Sequence, residues 1–406
     1  MRSSQSSPSL GADVIAQNGK TSGRGCGWRA LIAAPALALC LILSACGGRP
    51  PPGILTPVAQ TDPQAKQVDV IVATTREFDP ATDAFSTKRG DGLLFQKVDV
   101  SIPPNHKDGA LEAPEELPGD PSRNFVTTQN RDLSEAEFRA EVTKHLGKSG
   151  EVLVFIHGYN TTHQEAVFRM AQITNDSGYR GASVLFSWPS QGELSGYLYD
   201  RESSTYSRDQ LEHTIHVLAA TPGVKKINLL AHSMGNWLTV EMLRQARIRG
   251  DVEFGGKLGQ VILASPDVDL DVFRKDIFLI GPRKPPIVML VSRNDYALQV
   301  SERLAGRVRA GAAVIDNPQA QKAIQQAGMI VIDMTKVDSN DALNHSKFAE
   351  SPAIIQNIGR QLNGVQEKSN APTSVGGFVL DAAGQVLGAP KTIFDTVTLR
   401  NGGGGM

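Results

Sequence analysis

The apolar stretch Lys226-Ile-Asn-Leu-Leu230 runs directly into Ala231-His-Ser-Met-Gly235, and this junction constrains the fold more than any other part of the chain. A short apolar run of this kind reads as a buried strand. The residues that follow, Asn236-Trp-Leu-Thr-Val-Glu-Met-Leu-Arg-Gln245, place apolar side chains at helical spacing. A strand that turns through a serine straight into a helix is a nucleophile elbow, whose strained backbone presents the hydroxyl at the carboxyl edge of a sheet. Small residues two positions before and after the serine let neighbouring backbone approach closely. Here they are Ala231, where glycine is usual, and Gly235. Ser233 is therefore the candidate nucleophile.

A serine nucleophile needs a base, and the chain offers a narrow choice. Of 8 histidines, only His345 lies downstream of Ser233. The chain order Ser, then Asp or Glu, then His that accompanies such an elbow makes His345 the candidate base. It sits in the polar stretch Asp338-Ser-Asn-Asp-Ala-Leu-Asn-His-Ser346, after the apolar run Met329-Ile-Val-Ile-Asp-Met334. That is a loop beyond the carboxyl end of a strand. The acid is Asp295 by the same logic, because it follows the strand Pro286-Ile-Val-Met-Leu-Val-Ser292. Asp267 is the alternative acid, with Asp269 beside it, after the strand Gln260-Val-Ile-Leu-Ala-Ser265. An aspartate in such a place also serves as a helix cap. A further strand, Glu151-Val-Leu-Val-Phe-Ile156, leads into His157-Gly-Tyr-Asn-Thr-Thr162. Its turn offers the backbone N–H of Tyr159 to a developing oxyanion, and the residue after the nucleophile, Met234, offers the second. His157 precedes the nucleophile and reads as a residue that fixes this loop.

These elements together resemble an uncharacterised branch of the α/β-hydrolase superfamily, a domain of unknown function with esterase and lipase character. The resemblance lies in Val70-Ile-Val-Ala-Thr-Thr-Arg-Glu77, Phe155-Ile-His-Gly-Tyr-Asn160, Val184-Leu-Phe-Ser-Trp-Pro-Ser190, Leu230-Ala-His-Ser-Met-Gly-Asn236 and Ser292-Arg-Asn-Asp-Tyr-Ala-Leu298. It covers approximately residues 68–363. It implies a serine-hydrolase fold and triad, and no particular substrate.

The amino terminus carries a second signal. Arg24 and Arg29 precede a short apolar run over residues 30–43, which ends in Leu43-Ser44-Ala45-Cys46. The run is short for a bilayer span and matches a cleavable signal. Leu-Ser-Ala-Cys looks like a bacterial lipobox, in which the cysteine thiol carries a diacylglycerol. Residues 1–45 are thus expected to be a lipoprotein signal peptide and Cys46 the lipidation site. In a Gram-negative host, Gly47 after that cysteine would imply sorting to the outer membrane, facing the periplasm. The other two of the 3 cysteines, Cys26 and Cys40, fall inside the signal, so the mature chain would hold no free thiol and no disulfide.

Charge adds an exclusion. Lys and Arg number 41 against 42 Asp and Glu, with no basic run, which speaks against a nucleic-acid partner and leaves membrane association to the lipid. Residues 46–67, rich in Pro, Gly, Gln and Thr, read as a flexible tether. Residues 68–363 form the expected hydrolase domain, and residues 364–406, rich in Gly and Ser, a flexible tail with one short β-like segment near residues 377–380. Within the domain, residues 68–73 and 94–102 read as early strands and residues 103–131 as an exposed loop or partial cap. Residues 133–146 read as a helix opened by a Ser134/Glu137 capping box. From residue 151 strands and helices alternate, with helices over 162–176, 203–220 and 346–362. That alternation predicts a mainly parallel, doubly wound α/β sheet with helices on both faces. His213 and His216 are one helical turn apart but lack a third ligand, so they read as a helix face and no metal or other cofactor is expected.

The expected function is a lipid-anchored, cell-envelope carboxylesterase acting on an ester or acyl substrate through Ser233, His345 and Asp295. An acyltransferase using the same triad, or a non-catalytic binding protein on the same fold, are the alternatives. Residues 191–200 read equally as a pocket-lining lid or an ordinary loop.

Overall fold

Alternation along single strands explains how one sheet builds two cores. In Glu151–Ile156, residues Val152, Val154 and Ile156 join one apolar cluster, while Leu153 and Phe155 join the other. Side chains of period two on a strand buried on both sides can do nothing else. The structure is a computed structural model that describes residues 50–51, 53–339 and 341–363, with the backbone of 374–375 and 378–379. The chain divides into two units at Gly47, and the sheet belongs to the second. The expected signal peptide, Cys46 and most of the expected tail lie outside the described residues.

Nine strands make the sheet: β1 (Lys66–Asp79), β2 (Ala84–Ile102), β3 (Val126–Leu133), β4 (Glu151–Ile156), β5 (Ala182–Ser187), β6 (Lys226–His232), β7 (Leu258–Ala264), β8 (Val288–Val291) and β9 (Ile330–Asp333). They lie in the order β3-β2-β1-β5-β4-β6-β7-β8-β9. Only the β1–β2 and β2–β3 pairings are antiparallel; every pairing from β1 through β5 to β9 is parallel. A hairpin of Ser374–Val375 with Phe378–Val379 follows the domain.

Helices cover both faces. On one side lie α1 (Glu135–His145), α4 (Arg208–Ala219), α5 (Met234–Arg249) and α6 (Leu270–Ile280), sharing a core that includes Phe138, Ile215, Leu238 and Phe273. On the other lie α2 (His163–Ser177), α9 (Lys347–Glu350) and α10 (Pro352–Leu362), with Phe168, Phe348 and Ile355 in their core. After β5 and β8 come α3 (Tyr197–Tyr206) and α7 (Tyr296–Ala305), and α8 (Pro318–Ala327) precedes β9, with Ile324 and Ala327 packed against the first core. The doubly wound α/β-hydrolase architecture expected from the sequence is the one observed.

Several local expectations are refined. The capping box of α1 is complete, Ser134 taking the Glu137 N–H and Glu137 reaching back to Ser134. The single helix expected over 203–220 is two, parted at Ser207, whose buried hydroxyl bonds Thr75 at 2.8 Å. The last helix is parted at Ser351, because Pro352 lacks the N–H that a continuous helix needs. Residues 126–131, expected in a loop or partial cap, belong to edge strand β3, and Phe125 before it is fully buried. Part of the expected tether packs on this edge: Ile54 is buried, and Val58 N–H donates to Thr127 O at 2.8 Å.

Candidate active site

The elbow is assembled by contacts that leave its backbone no freedom. Ser233 has φ 52° and ψ −121°, a conformation that costs a non-glycine residue about 1–3 kcal/mol and persists only where its surroundings impose it. Ser233 N–H donates to Ala264 O at 3.0 Å, and Ser233 O accepts from Asp267 N–H at 3.1 Å. The Asn236 amide donates to both Ser233 O (3.0 Å) and Ala264 O (2.8 Å), tying the turn to the end of β7. A Cβ on Gly235 would stand 2.4 Å from His157 O, and one on Gly158 would stand 2.8 Å from the Ser233 Cβ. No other residue fits at either place without displacing backbone. The small residues around the serine are thus a packing requirement.

His345 lies in the loop after β9, on the turn closed by the Asp341 carboxylate, which accepts from His345 N–H (2.6 Å) and Ser346 N–H (2.8 Å). Its Nδ1 meets Asp295 Oδ2 at 2.8 Å. Asp295 has no exposed surface, and its other oxygen caps α7 by accepting from Leu298 N–H at 3.0 Å. One carboxylate therefore does both jobs that the sequence allows an aspartate after a strand. Burial disfavours a charged His345, but the Asp295 charge and hydrogen bond outweigh it and hold its pKa above the ordinary value. The alternative acid, Asp267, is committed elsewhere. It pairs with Arg309 Nε at 3.2 Å and accepts from Ser301 Oγ at 2.6 Å. Asp269 caps α6.

The site has a histidine that sequence reasoning gave no role. His232 Nε2 meets His345 O at 3.1 Å, and the two rings lie 4.6 Å apart. Burial pushes the His232 pKa far down, so the neutral ring can donate to that carbonyl and steady the loop that carries His345. Its position next to Ser233 was the available signal, but only the fold brings residue 345 to it.

The expected oxyanion loop is clamped from beneath. Met234 is the first residue of α5, where a backbone N–H has no partner within the helix. Tyr159 follows Gly158, its hydroxyl donating to Leu194 O and its ring edge-on to Tyr197. Asn160 N–H donates to Asp200 at 3.1 Å, and Thr161 N–H to Ser190 Oγ at 3.0 Å. Arg76, fully buried, donates to Thr161 O (3.0 Å), Ser190 O (3.0 Å) and Ser187 Oγ (3.1 Å). Burial brings its guanidinium pKa down to about 10, which still leaves it charged. His157 stacks on Trp188, and burial brings its pKa down to about 3, in keeping with a loop-fixing neutral ring. Residues 191–200 hold the turn Leu194–Gly196 and the start of α3, with Asp200 buried beneath them.

Among the described residues, one grouping, His106, Asp108 and Asp176, has donor atoms close enough to hold a metal. Its imidazole already bridges Asp176 (2.8 Å) and Glu112 (2.7 Å), which makes it a structural clamp. His213 and His216 face Glu135 and Glu212 respectively. A groove of about 850 Å³ between α6 and α8 is lined by Phe273, Ile277, Met289 and Ile324, and none of Ser233, Asp295 or His345 borders it.

A largely parallel sheet with a strained serine heading a helix, and a histidine–aspartate pair on loops at the same edge, defines an α/β hydrolase. Residues 134–363 match the model of a family described as alpha/beta hydrolase of unknown function (DUF900), and the chain belongs to that family. It is 39% identical over 64 residues to the uncharacterized protein alr1448 of Nostoc sp. (strain PCC 7120), a stretch covering 16% of this chain and 17% of that protein. Solved structures with a similar fold include an arylesterase (13% identity, TM-score 0.31, covering 77% of this chain and 88% of that one). An esterase of Pyrobaculum calidifontis is similar at 11% identity and TM-score 0.32, covering 82% and 93%.

Proposed function

We propose that this α/β hydrolase is a serine carboxylesterase. The observation that carries the reading is the forced positive φ of Ser233 beside a histidine held by a buried carboxylate. Ser233 Oγ attacks the ester carbonyl carbon while its proton passes to His345 Nε2. The tetrahedral oxyanion takes hydrogen bonds from the amides of Tyr159 and Met234; losing one such donor costs about 10²–10³ in rate. The intermediate collapses to an acyl-serine, and His345 gives its proton to the departing alkoxide. Water then attacks the acyl carbon, its proton going to His345, and the acid leaves as that proton returns to Ser233. Asp295 holds the imidazole in the required tautomer and balances its transient charge.

The compartment belongs to the same proposal. The Leu43-Ser-Ala-Cys46 motif supports attachment to a cell-envelope membrane by a lipid on Cys46. The catalytic assignment is tested by fluorophosphonate labelling of the full chain together with p-nitrophenyl ester hydrolysis. Labelling and turnover are expected in wild type, absent in Ser233→Ala with its circular dichroism unchanged, and weakened in His345→Ala. Turnover at the wild-type rate by Ser233→Ala would refute it.

A further inference from the structure

Lys347, two residues after His345, has no exposed surface. Lysine is almost never buried so completely unless its charge is balanced. Its ammonium donates to Asn294 Oδ1 at 2.9 Å, to Met334 O at 3.1 Å and to Thr335 O at 3.3 Å. Three acceptors around one nitrogen call for three N–H donors, which only the protonated amine has. Ser292 Oγ also donates to Asn294 Oδ1, at 2.6 Å, so the amide oxygen meets two donors. A buried cation thus joins the residue before Asp295 to the end of β9, from a place on the chain beside His345.

The acceptors alone do not explain why the donor is charged. Asn294 Oδ1 has the Ser292 hydroxyl as well, and Met334 O has the Val337 N–H at 3.0 Å. Arg293 N–H donates to Thr335 Oγ1 at 3.0 Å, and Arg293 faces Asp333 at 3.5 Å, which already fastens the loop of Asp295 to β9. A cation stripped of water is costly and persists where anions surround it. Burial disfavours the charged form of Lys347, while the carboxylates of Asp295, Asp333, Asp338 and Asp341 favour it, Asp295 most. Burial likewise works against a protonated His345, and Asp295, Asp267 and Asp341 favour it. The other groups near the imidazole are matched: Asp267 with Arg309, Arg169 with Glu350 at 3.2 Å, and His232 kept neutral by burial. The three hydrogen-bond partners of Lys347 are uncharged, so its charge is left to act on the aspartates that act on His345.

We infer that Lys347 is a positioning residue of the candidate site: its ammonium ties the loop of Asp295 to the end of β9, and its charge offsets the aspartates that favour a protonated His345. The inference deepens the esterase reading and rests on it for the reaction. A general base works in its neutral form, so a cation that restrains its proton affinity enlarges the working fraction at neutral pH.

The test uses the full chain with two variants. Lys347→Met keeps a side chain of similar length and removes the charge and its donors. Asn294→Asp leaves the lysine in place and gives it a carboxylate partner, at a half-buried position where a charge still reaches water. Either change strengthens the negative field at His345, so its proton is held more tightly. The pH midpoint of kcat/KM for p-nitrophenyl butyrate is expected to rise by about 0.5–1 unit in both, less than a charge in direct contact gives. Activity lost at neutral pH should return at higher pH in Asn294→Asp. Lys347→Met should keep a plateau about tenfold lower, because the tie between the loops is gone. A second readout needs no turnover. The NMR shifts of the His345 imidazole, identified by their absence in His345→Ala, should titrate at a pH raised by the same amount. Slack loops alone would part Asp295 from His345 and move both midpoints down. A midpoint that stays or falls in Asn294→Asp, or in a folded Lys347→Met, would overturn the inference. An imidazole midpoint that rises in both variants of a chain that hydrolyses no ester would leave the role of the charge standing and remove the esterase reading.

Discussion

At the scale of single residues the chemistry turns on which partner each imidazole finds. In the proposed reaction His345 must be neutral to accept a proton from Ser233, and its pKa is held above the ordinary value by Asp295. Hydrolysis should therefore rise with pH through a midpoint above about 6.5. Asp295→Asn removes the charge that favours the imidazolium, so the midpoint of kcat/KM against pH should move down while the plateau falls by about 10⁴. An unmoved midpoint would remove Asp295 from that role. Gly158 gives a steric counterpart, because a methyl there would stand 2.8 Å from the Ser233 Cβ. Gly158→Ala should reduce kcat far more than it lowers the melting temperature, as measured by turnover and thermal denaturation. Ser233, His345 and Asp295 were legible in the chain because triad order and strand ends restrict where such residues stand. His232 and Asn236 were not, since a side chain that bonds a carbonyl over 100 residues away, or the end of another strand, has no local pattern.

At the scale of elements, the loops that frame the site are held by a charge that hydropathy alone would place outside. Arg76 lies in the motif Val70-Ile-Val-Ala-Thr-Thr-Arg-Glu77, yet its guanidinium is buried and ties β1 to the loops after β4 and β5. Arg76→Gln would strand several carbonyl acceptors at once. It should destabilise the fold by about 3 kcal/mol or more, measured by urea denaturation, and Arg76→Lys should rescue only part of that loss. Strand β4, the elbow and helix α1 could be read directly, because period, caps and turn residues are local properties. The break at Ser207 could not, and the contact that its hydroxyl makes with Thr75 joins residues far apart in the chain. The break at Ser351 was written in Pro352 and is a matter of backbone sterics alone. Helices α6, α7 and α8 went unread; α8 has no fully buried residue, and only Ile324 and Ala327 pack partly against the core, so its apolar stripe is short.

At the scale of the whole molecule, stability comes from packing on the two faces of the sheet. No cysteine occurs beyond Cys46, so a reducing agent should leave the melting temperature of the folded domain unchanged; a drop would reveal a disulfide outside the described residues. The site draws on residues 159, 233, 295 and 345 because parallel strands all end at one edge, and loops at that edge converge whatever their separation in the chain. The sequence alone determined the class of fold, the elbow and the order of the candidate nucleophile, acid and base, since periodicity, small residues and strand ends act over short range. Tertiary structure alone decided that His345 bonds Asp295 and that Arg309 pairs with Asp267. Those outcomes depend on which surfaces meet across the sheet, and that geometry exists only once the chain has closed on itself.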